Sequence, residues 1–178
     1  ASVPKPGVVL PRIQSIASKL WTLYVIFTII CFIMLCLGGI DPFDALNYAF
    51  SIIATGGLTP TTAGTFLYSQ NTYICVVFIL FMVIAGGNFA VYYNVIQKGF
   101  SALFSDFETR MYWLVLVIGI LITFISLYFQ SNSMDIGQVF QDAAFTLVSI
   151  QTGSGFAVSD YDLWPAAAQM MLFIASFF

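Results

Sequence analysis

The chain has 178 residues, of which 60% are hydrophobic and 7% are charged, and its formal net charge is −3 at pH 7. These values lie outside the balance of a soluble domain and predict an all-α integral membrane protein in contact with membrane lipid. No basic face is available for nucleic acid, and without histidine or a paired nucleophile and base no enzyme activity is expected.

Four apolar segments predict helices that cross the membrane. At roughly 20 residues per crossing, they span residues 20–38, 71–97 and 111–129 and continue from residue 163. The basic residues cluster before the first span and between the second and third, so the positive-inside tendency places the N-terminus in the cytoplasm. Because the fourth span is still apolar at residue 178 and no initiator Met is present, the chain is expected to be a piece of a longer protein.

Two shorter apolar segments predict helices that enter the membrane without crossing it. An Asp-Pro pair at 41–42 starts the first, predicted over 42–54, and Asp135 starts the second, predicted over 136–151. A helix of roughly 12 residues rises only halfway through a bilayer core. Both segments are therefore interpreted as re-entrant pore helices.

The two re-entrant segments are copies of one plan. With an offset of 98, residues 44–58 align with 142–156 and share Asp, Ala, Ser, Ile and Gly at five positions. Each copy reads as helix, re-entrant pore helix, loop and helix, so residues 1–100 and 101–178 are predicted to be tandem units of a channel-like fold.

Glycine-bearing loops follow the pore helices, at residues 55–59 and 152–157. Irregular backbone is tolerated in a membrane only where it is buried or lines a water-filled cavity, and crowded carbonyls can replace the hydration shell of a monovalent cation. The loops are therefore predicted to be parts of a selectivity filter. Their carbonyls are the predicted ion ligands: Thr55, Gly56, Gly57, Thr152, Gly153, Ser154 and Gly155.

Two questions stay open at this point. Gly86, Gly87 and Asn88 in the second span indicate either a hinge for gating or close helix packing. A Na⁺- or H⁺-coupled cation transporter with broken helices is the alternative function, although no ionisable residue lies within the predicted spans.

The motifs Thr-Gly-Gly-Leu-Thr at 55–59, Ala-Gly-Gly-Asn at 85–88 and Gly-Ser-Gly-Phe at 153–156 resemble the bacterial Trk/Ktr family of potassium uptake proteins, most closely its TrkH-type membrane subunits. The resemblance covers essentially the whole chain, as the second unit and most of the third of a pseudo-fourfold cation channel fold. It implies Gly57 and Gly155 as the key filter glycines. The chain departs from the family at Leu58, where an aromatic is common, and at Gly153-Ser154, where Thr-Thr is more usual.

The resemblance also implies properties that the residues themselves do not show. These are K⁺ as the transported ion with no cofactor, a multi-pass protein of the bacterial inner membrane, a homodimer, and a cytosolic nucleotide-binding regulatory subunit as partner.

Overall fold

The computed structural model describes residues 6–89, 91–92, 95, 107–130 and 135–177. Within these residues the regular structure is helical and contains no strand. Six α-helices are described: α1 (Pro6–Leu37), α2 (Pro42–Ile53), α3 (Thr72–Gly86), α4 (Phe107–Gln130), α5 (Ile136–Gln151) and α6 (Ala166–Ala175). Short 3-10 turns at Gly64–Tyr68 and Tyr161–Leu163 precede α3 and α6.

Helices α1 and α4 have the length and composition of membrane spans. The apolar part of α1 is Ala17–Leu37, and the whole of α4 qualifies. Both helices expose isoleucine, valine and leucine side chains over much of their length. Such a surface is expected where a helix faces lipid rather than water.

The first re-entrant helix starts at a side-chain cap, whereas Asp135 at the start of the second makes no capping hydrogen bond. Asp41 caps α2 by accepting a hydrogen bond from the Phe43 N–H at 3.0 Å, with Pro42 in the first turn. Helix α5 has 16 residues against 12 in α2, so it begins about one turn earlier relative to the shared C-terminal end.

Three helices begin three or more residues away from the predicted start. The first helix begins at Pro6 rather than at residue 20, because hydropathy marks the apolar core while helical hydrogen bonds continue into the polar segment. The last begins at Ala166 rather than at 163, since Trp164 precedes a proline and is extended (φ −78°, ψ 159°). The fourth runs from Phe107 rather than from 111 and carries Glu108 in its first turn.

The helix predicted over 71–97 is interrupted. Helix α3 ends at Gly86, and Gly87 is its extended cap (φ −80°, ψ 167°). A new turn starts at Asn88, whose carbonyl accepts from the Val91 N–H at 2.9 Å. Residues 90, 93–94 and 96–97 of the predicted helix lie outside the described part of the chain.

The units share one core rather than packing as separate bodies. Helix α1 packs on α2 and α3, α4 packs on α5 and α6, and α3 packs directly against α5. The main cluster of buried side chains joins Tyr48 and Phe78 of the first unit to Phe145, Val148 and Phe156 of the second. The loops after α2 and α5 are therefore held against a common apolar support.

The three cysteines belong to this packing. All are free thiols; Cys31 and Cys75 are buried and Cys36 is half-buried. The Cys75 Sγ lies 3.3 Å from the Tyr68 carbonyl oxygen, within hydrogen-bond distance. These positions are those of reduced cysteines that contribute to helix packing.

Candidate functional site

The loops that follow α2 and α5 carry the same pattern of backbone hydrogen bonds. In each, three successive N–H groups turn back to carbonyls of the last helical turn, and equivalent residues are 98 apart. In the first loop the N–H groups of Ala54, Thr55 and Gly56 donate to the carbonyls of Phe50 (3.0 Å), Ile52 (3.0 Å) and Ser51 (2.7 Å). In the second loop the N–H groups of Thr152, Gly153 and Ser154 donate to the carbonyls of Val148 (2.9 Å), Ile150 (3.0 Å) and Ser149 (2.9 Å). The internal repeat is thus a repeat of conformation.

Both loops place alternate residues in the left-handed region of backbone space. Thr55 (φ 49°) and Gly57 (φ 63°) match Gly153 (φ 70°) and Gly155 (φ 74°). Thr55 is the one non-glycine residue with positive φ among the described residues. A β-branched residue is costly there, at about 1–3 kcal/mol, and such strain concentrates at functional sites.

The two loops touch each other through their backbones. A Cβ atom added to Gly57 would overlap the Ser154 carbonyl oxygen and would lie 3.6 Å from the Gly155 carbonyl carbon. By contrast, Cβ atoms added to Gly153 or Gly155 would meet no atom within 4 Å. One side of the second loop therefore faces open space, while the other packs on the first loop.

The electrostatics of this open space favour a cation. The C-terminal ends of α2 and α5 both run into the loops, and each helix end carries roughly half a negative charge from its carbonyls. No cluster of His, Cys, Asp or Glu that could hold a metal ion occurs among the described residues. The prediction that backbone carbonyls of these loops bind the ion requires no such cluster.

The predicted ligands differ in exposure. Gly56, Gly153 and Gly155 are exposed, and Thr55, Gly57 and Thr152 are half-buried. Ser154 is buried, its carbonyl lies against Gly57, and its hydroxyl lies 2.9 Å from that of Thr152.

An aromatic cluster packs against the second loop through Phe156. Phe156, which follows Gly155, is 3% exposed and lies with its ring centroid 5.3 Å from that of Phe78 and 6.3 Å from that of Tyr48. The Thr65 hydroxyl donates to the Ala157 carbonyl across the two units. Leu58, the counterpart of Phe156, is 76% exposed in this chain.

The break at the end of α3 also touches the second loop. A Cβ atom on Gly86 would lie 2.6 Å from the Thr152 Cγ2 atom and 2.8 Å from its Cβ atom. Tyr112 connects α3 to α5: its hydroxyl donates to the Val83 carbonyl at 3.0 Å, and its own carbonyl accepts from Gln151 Nε2 at 3.1 Å. Gly86 is therefore a packing contact of a predicted ligand residue, and Gly87 lies at the break.

A cavity of about 300 Å³ lies beside this break. Its lining includes Gly87, Asn88, Tyr92, Glu108 and Tyr112. The Tyr92 hydroxyl donates to the Ile84 carbonyl at 2.9 Å, and the same carbonyl accepts the Gly87 N–H at 3.3 Å, so both bonds connect the break to the last turn of α3.

Sequence reasoning missed several supporting residues. Ser51 could have been found, because it is identical to Ser149 in the repeat alignment and both lie in the last turn before a loop. No local signal marks Tyr112 or Gln151, whose bond spans 39 positions and depends on how α4 packs on α5.

Comparisons with known proteins give one family. The model of the TrkH family, described as "Cation transport protein", matches residues 3–178. The Trk system potassium uptake protein TrkH of Halomonas elongata is 33% identical over 168 residues, covering 94% of this chain and 34% of the relative. TrkH of Escherichia coli K12 is 29% identical over 172 residues, covering 94% of this chain and 35% of the relative.

A solved structure agrees with these relatives. The crystal structure of the potassium transporter TrkH from Vibrio parahaemolyticus has a TM-score of 0.87 and 29% identity, with 94% of this chain and 36% of that one covered. The chain thus spans about a third of the length of the relatives that it matches.

Proposed function

The chain belongs to the TrkH family of cation transport proteins, and on that premise we propose that it forms two of the four units around a single K⁺ pathway. Residues 1–100 supply the second unit and residues 101–178 most of the third. In this proposal the loops at 55–59 and 152–157 are two quarters of the filter, and K⁺ is the transported cargo.

The observation that carries the proposal is the backbone contact between the loops. Gly57 packs on the Ser154 carbonyl, although the two residues belong to different repeats. Re-entrant helices from both repeats end at this contact, which supports a filter to which both loops contribute carbonyls. Rings of carbonyls are how potassium-selective filters replace the hydration shell of the ion.

We further propose the setting in which this pathway works. The names of the relatives refer to a Trk potassium uptake system, which supports a bacterial inner-membrane protein that works with other subunits. A homodimer with a cytosolic nucleotide-binding regulatory subunit is the specific assembly proposed, with the N-terminus in the cytoplasm.

The test is glycine replacement in the complete four-unit protein. Gly57→Ser forces the Ser154 carbonyl aside, and Gly155→Ser adds a hydroxymethyl group on the open side of a left-handed residue. Each variant is expected to lower the K⁺ to Na⁺ uptake ratio about tenfold, equivalent to about 1.4 kcal/mol of discrimination.

Gly39→Ser is the matched control. Gly39 also has positive φ (89°), and a Cβ atom there meets nothing within 4 Å, but it lies in the turn between α1 and α2. This control carries the same backbone strain of about 1–2 kcal/mol without touching a loop. If the two filter variants fold and keep the parental ratio, or if Gly39→Ser lowers it equally, the loops are not selectivity elements.

A further inference from the structure

Ser51 binds the first loop on both sides of Gly57. Its carbonyl oxygen accepts the Gly56 N–H at 2.7 Å, and its hydroxyl oxygen accepts the Leu58 N–H at 2.7 Å. Ser51 lies in the last turn of α2 and is 7% exposed, whereas the two residues whose N–H groups it binds are exposed. The helix end therefore holds the loop before and after its central glycine.

The bond to Leu58 determines where the Gly57 carbonyl points. The Gly57 C=O and the Leu58 N–H belong to one planar trans peptide unit, in which the two bonds point in opposite directions. Because the N–H is directed to Ser51 Oγ at the end of α2, the Gly57 carbonyl must point away from α2. A hydrogen bond to a side chain thereby fixes the direction of a backbone oxygen in the loop.

The counterpart in the second unit is held differently. The Ser149 carbonyl accepts from the N–H groups of both Ser154 (2.9 Å) and Gly155 (3.2 Å). The Ser149 hydroxyl is fully buried and has no hydrogen-bond partner among the described residues. The peptide unit that contains the Gly155 carbonyl and the Phe156 N–H therefore lacks the bond that holds its equivalent in the first loop.

We propose that Ser51 is a positioning residue for ion selectivity that orients the Gly57 carbonyl, and that Ser149, its repeat counterpart, does not have this role. The inference rests on the proposed function of the loops as filter segments. In this inference the serine hydroxyl orients a carbonyl in the first loop, and the equivalent serine hydroxyl does not do so in the second. The burial of Phe156 in the aromatic cluster takes the place of the missing hydroxyl bond in the second loop.

The experiment compares Ser51→Ala with Ser149→Ala in the complete four-unit protein. Removing the Ser51 hydroxyl leaves the Leu58 N–H without its acceptor and frees the Gly57 carbonyl to turn, so we expect a two- to tenfold fall in the K⁺ to Na⁺ uptake ratio. Ser149→Ala removes a hydroxyl that makes no bond, so its ratio is expected to stay within about twofold of the parent.

Two further variants separate positioning from folding. Ser51→Thr keeps the hydroxyl and is expected to restore most of the ratio, whereas a purely structural role predicts no link between hydroxyl and selectivity. If Ser51→Ala does not accumulate, Ser51→Cys keeps nearly the same volume with a much weaker acceptor and should show the same fall. Thermal stability in detergent is measured for every variant.

Different outcomes would overturn the positioning role of Ser51 and the proposed filter function of the loops. Parental selectivity in folded Ser51→Ala or Ser51→Cys, or an equal loss in Ser149→Ala, overturns the positioning role while Gly57→Ser still lowers the ratio. If Gly57→Ser also leaves the ratio unchanged, the proposed filter itself fails.

Discussion

Replacing Gly86 with alanine tests whether the break in α3 is coupled to the second loop. The added methyl group would lie 2.6 Å from Thr152 Cγ2, 2.8 Å from its Cβ and 3.2 Å from its Cα. All three distances are shorter than ordinary van der Waals contact, and the last two involve atoms that cannot rotate away. Either α3 or the loop must therefore move.

Two opposing energy terms set the change in stability that we expect for Gly86→Ala. Alanine is favoured over glycine by up to about 1 kcal/mol inside a helix, but Gly86 is the last residue of α3, so only part of this gain applies. Overpacking a filled site costs about 1–3 kcal/mol. The clash outweighs the helix preference, and Gly86→Ala is expected to destabilise the protein by about 1–2 kcal/mol.

The assay combines a mutant cycle with ion uptake. Thr152→Ser removes the Cγ2 atom but keeps the hydroxyl that donates to the Val148 carbonyl at 2.8 Å. In the double variant, the thermal midpoint in detergent and the K⁺ to Na⁺ uptake ratio should recover part of what Gly86→Ala loses, with a coupling of about 1 kcal/mol. Strict additivity of the two substitutions, or a stability gain for Gly86→Ala alone, would refute the reasoning.

Two other predictions concern the contact between the units and the orientation in the membrane. Thr65→Val removes the hydroxyl bond to the Ala157 carbonyl and should lower the free energy of unfolding by about 1–3 kcal/mol in the same thermal assay. Thr123→Val is the control, because the Thr123 hydroxyl is fully buried without a partner among the described residues; its removal should be neutral or stabilising. With the native cysteines replaced, Gln70→Cys should react with an impermeant thiol reagent added outside the cell and Phe107→Cys only after permeabilisation; the reverse pattern would invert the proposed topology.

Much of the architecture follows from local features of the chain. Hydropathy alone predicted an all-α membrane protein, and the glycine-bearing motifs indicated the family; the structure and the comparisons confirm both. The start of α2 is local as well, because Asp41 and Pro42 satisfy and shape the first turn through their own side chains. The repeat with an offset of 98 was readable from five identities, one of which is the glycine at the second left-handed position of each loop.

The relations between loops required the packed structure. Ser51 and Ser149 are identical in the repeat alignment, yet one hydroxyl binds the loop and the other is buried without a described partner. Gly86 reads in the sequence as a hinge or a packing residue, and only the approach of α3 to α5 brings it against Thr152. Such contacts join residues that are far apart in the chain. They depend on how the helices pack, and a local pattern of residues does not contain that information.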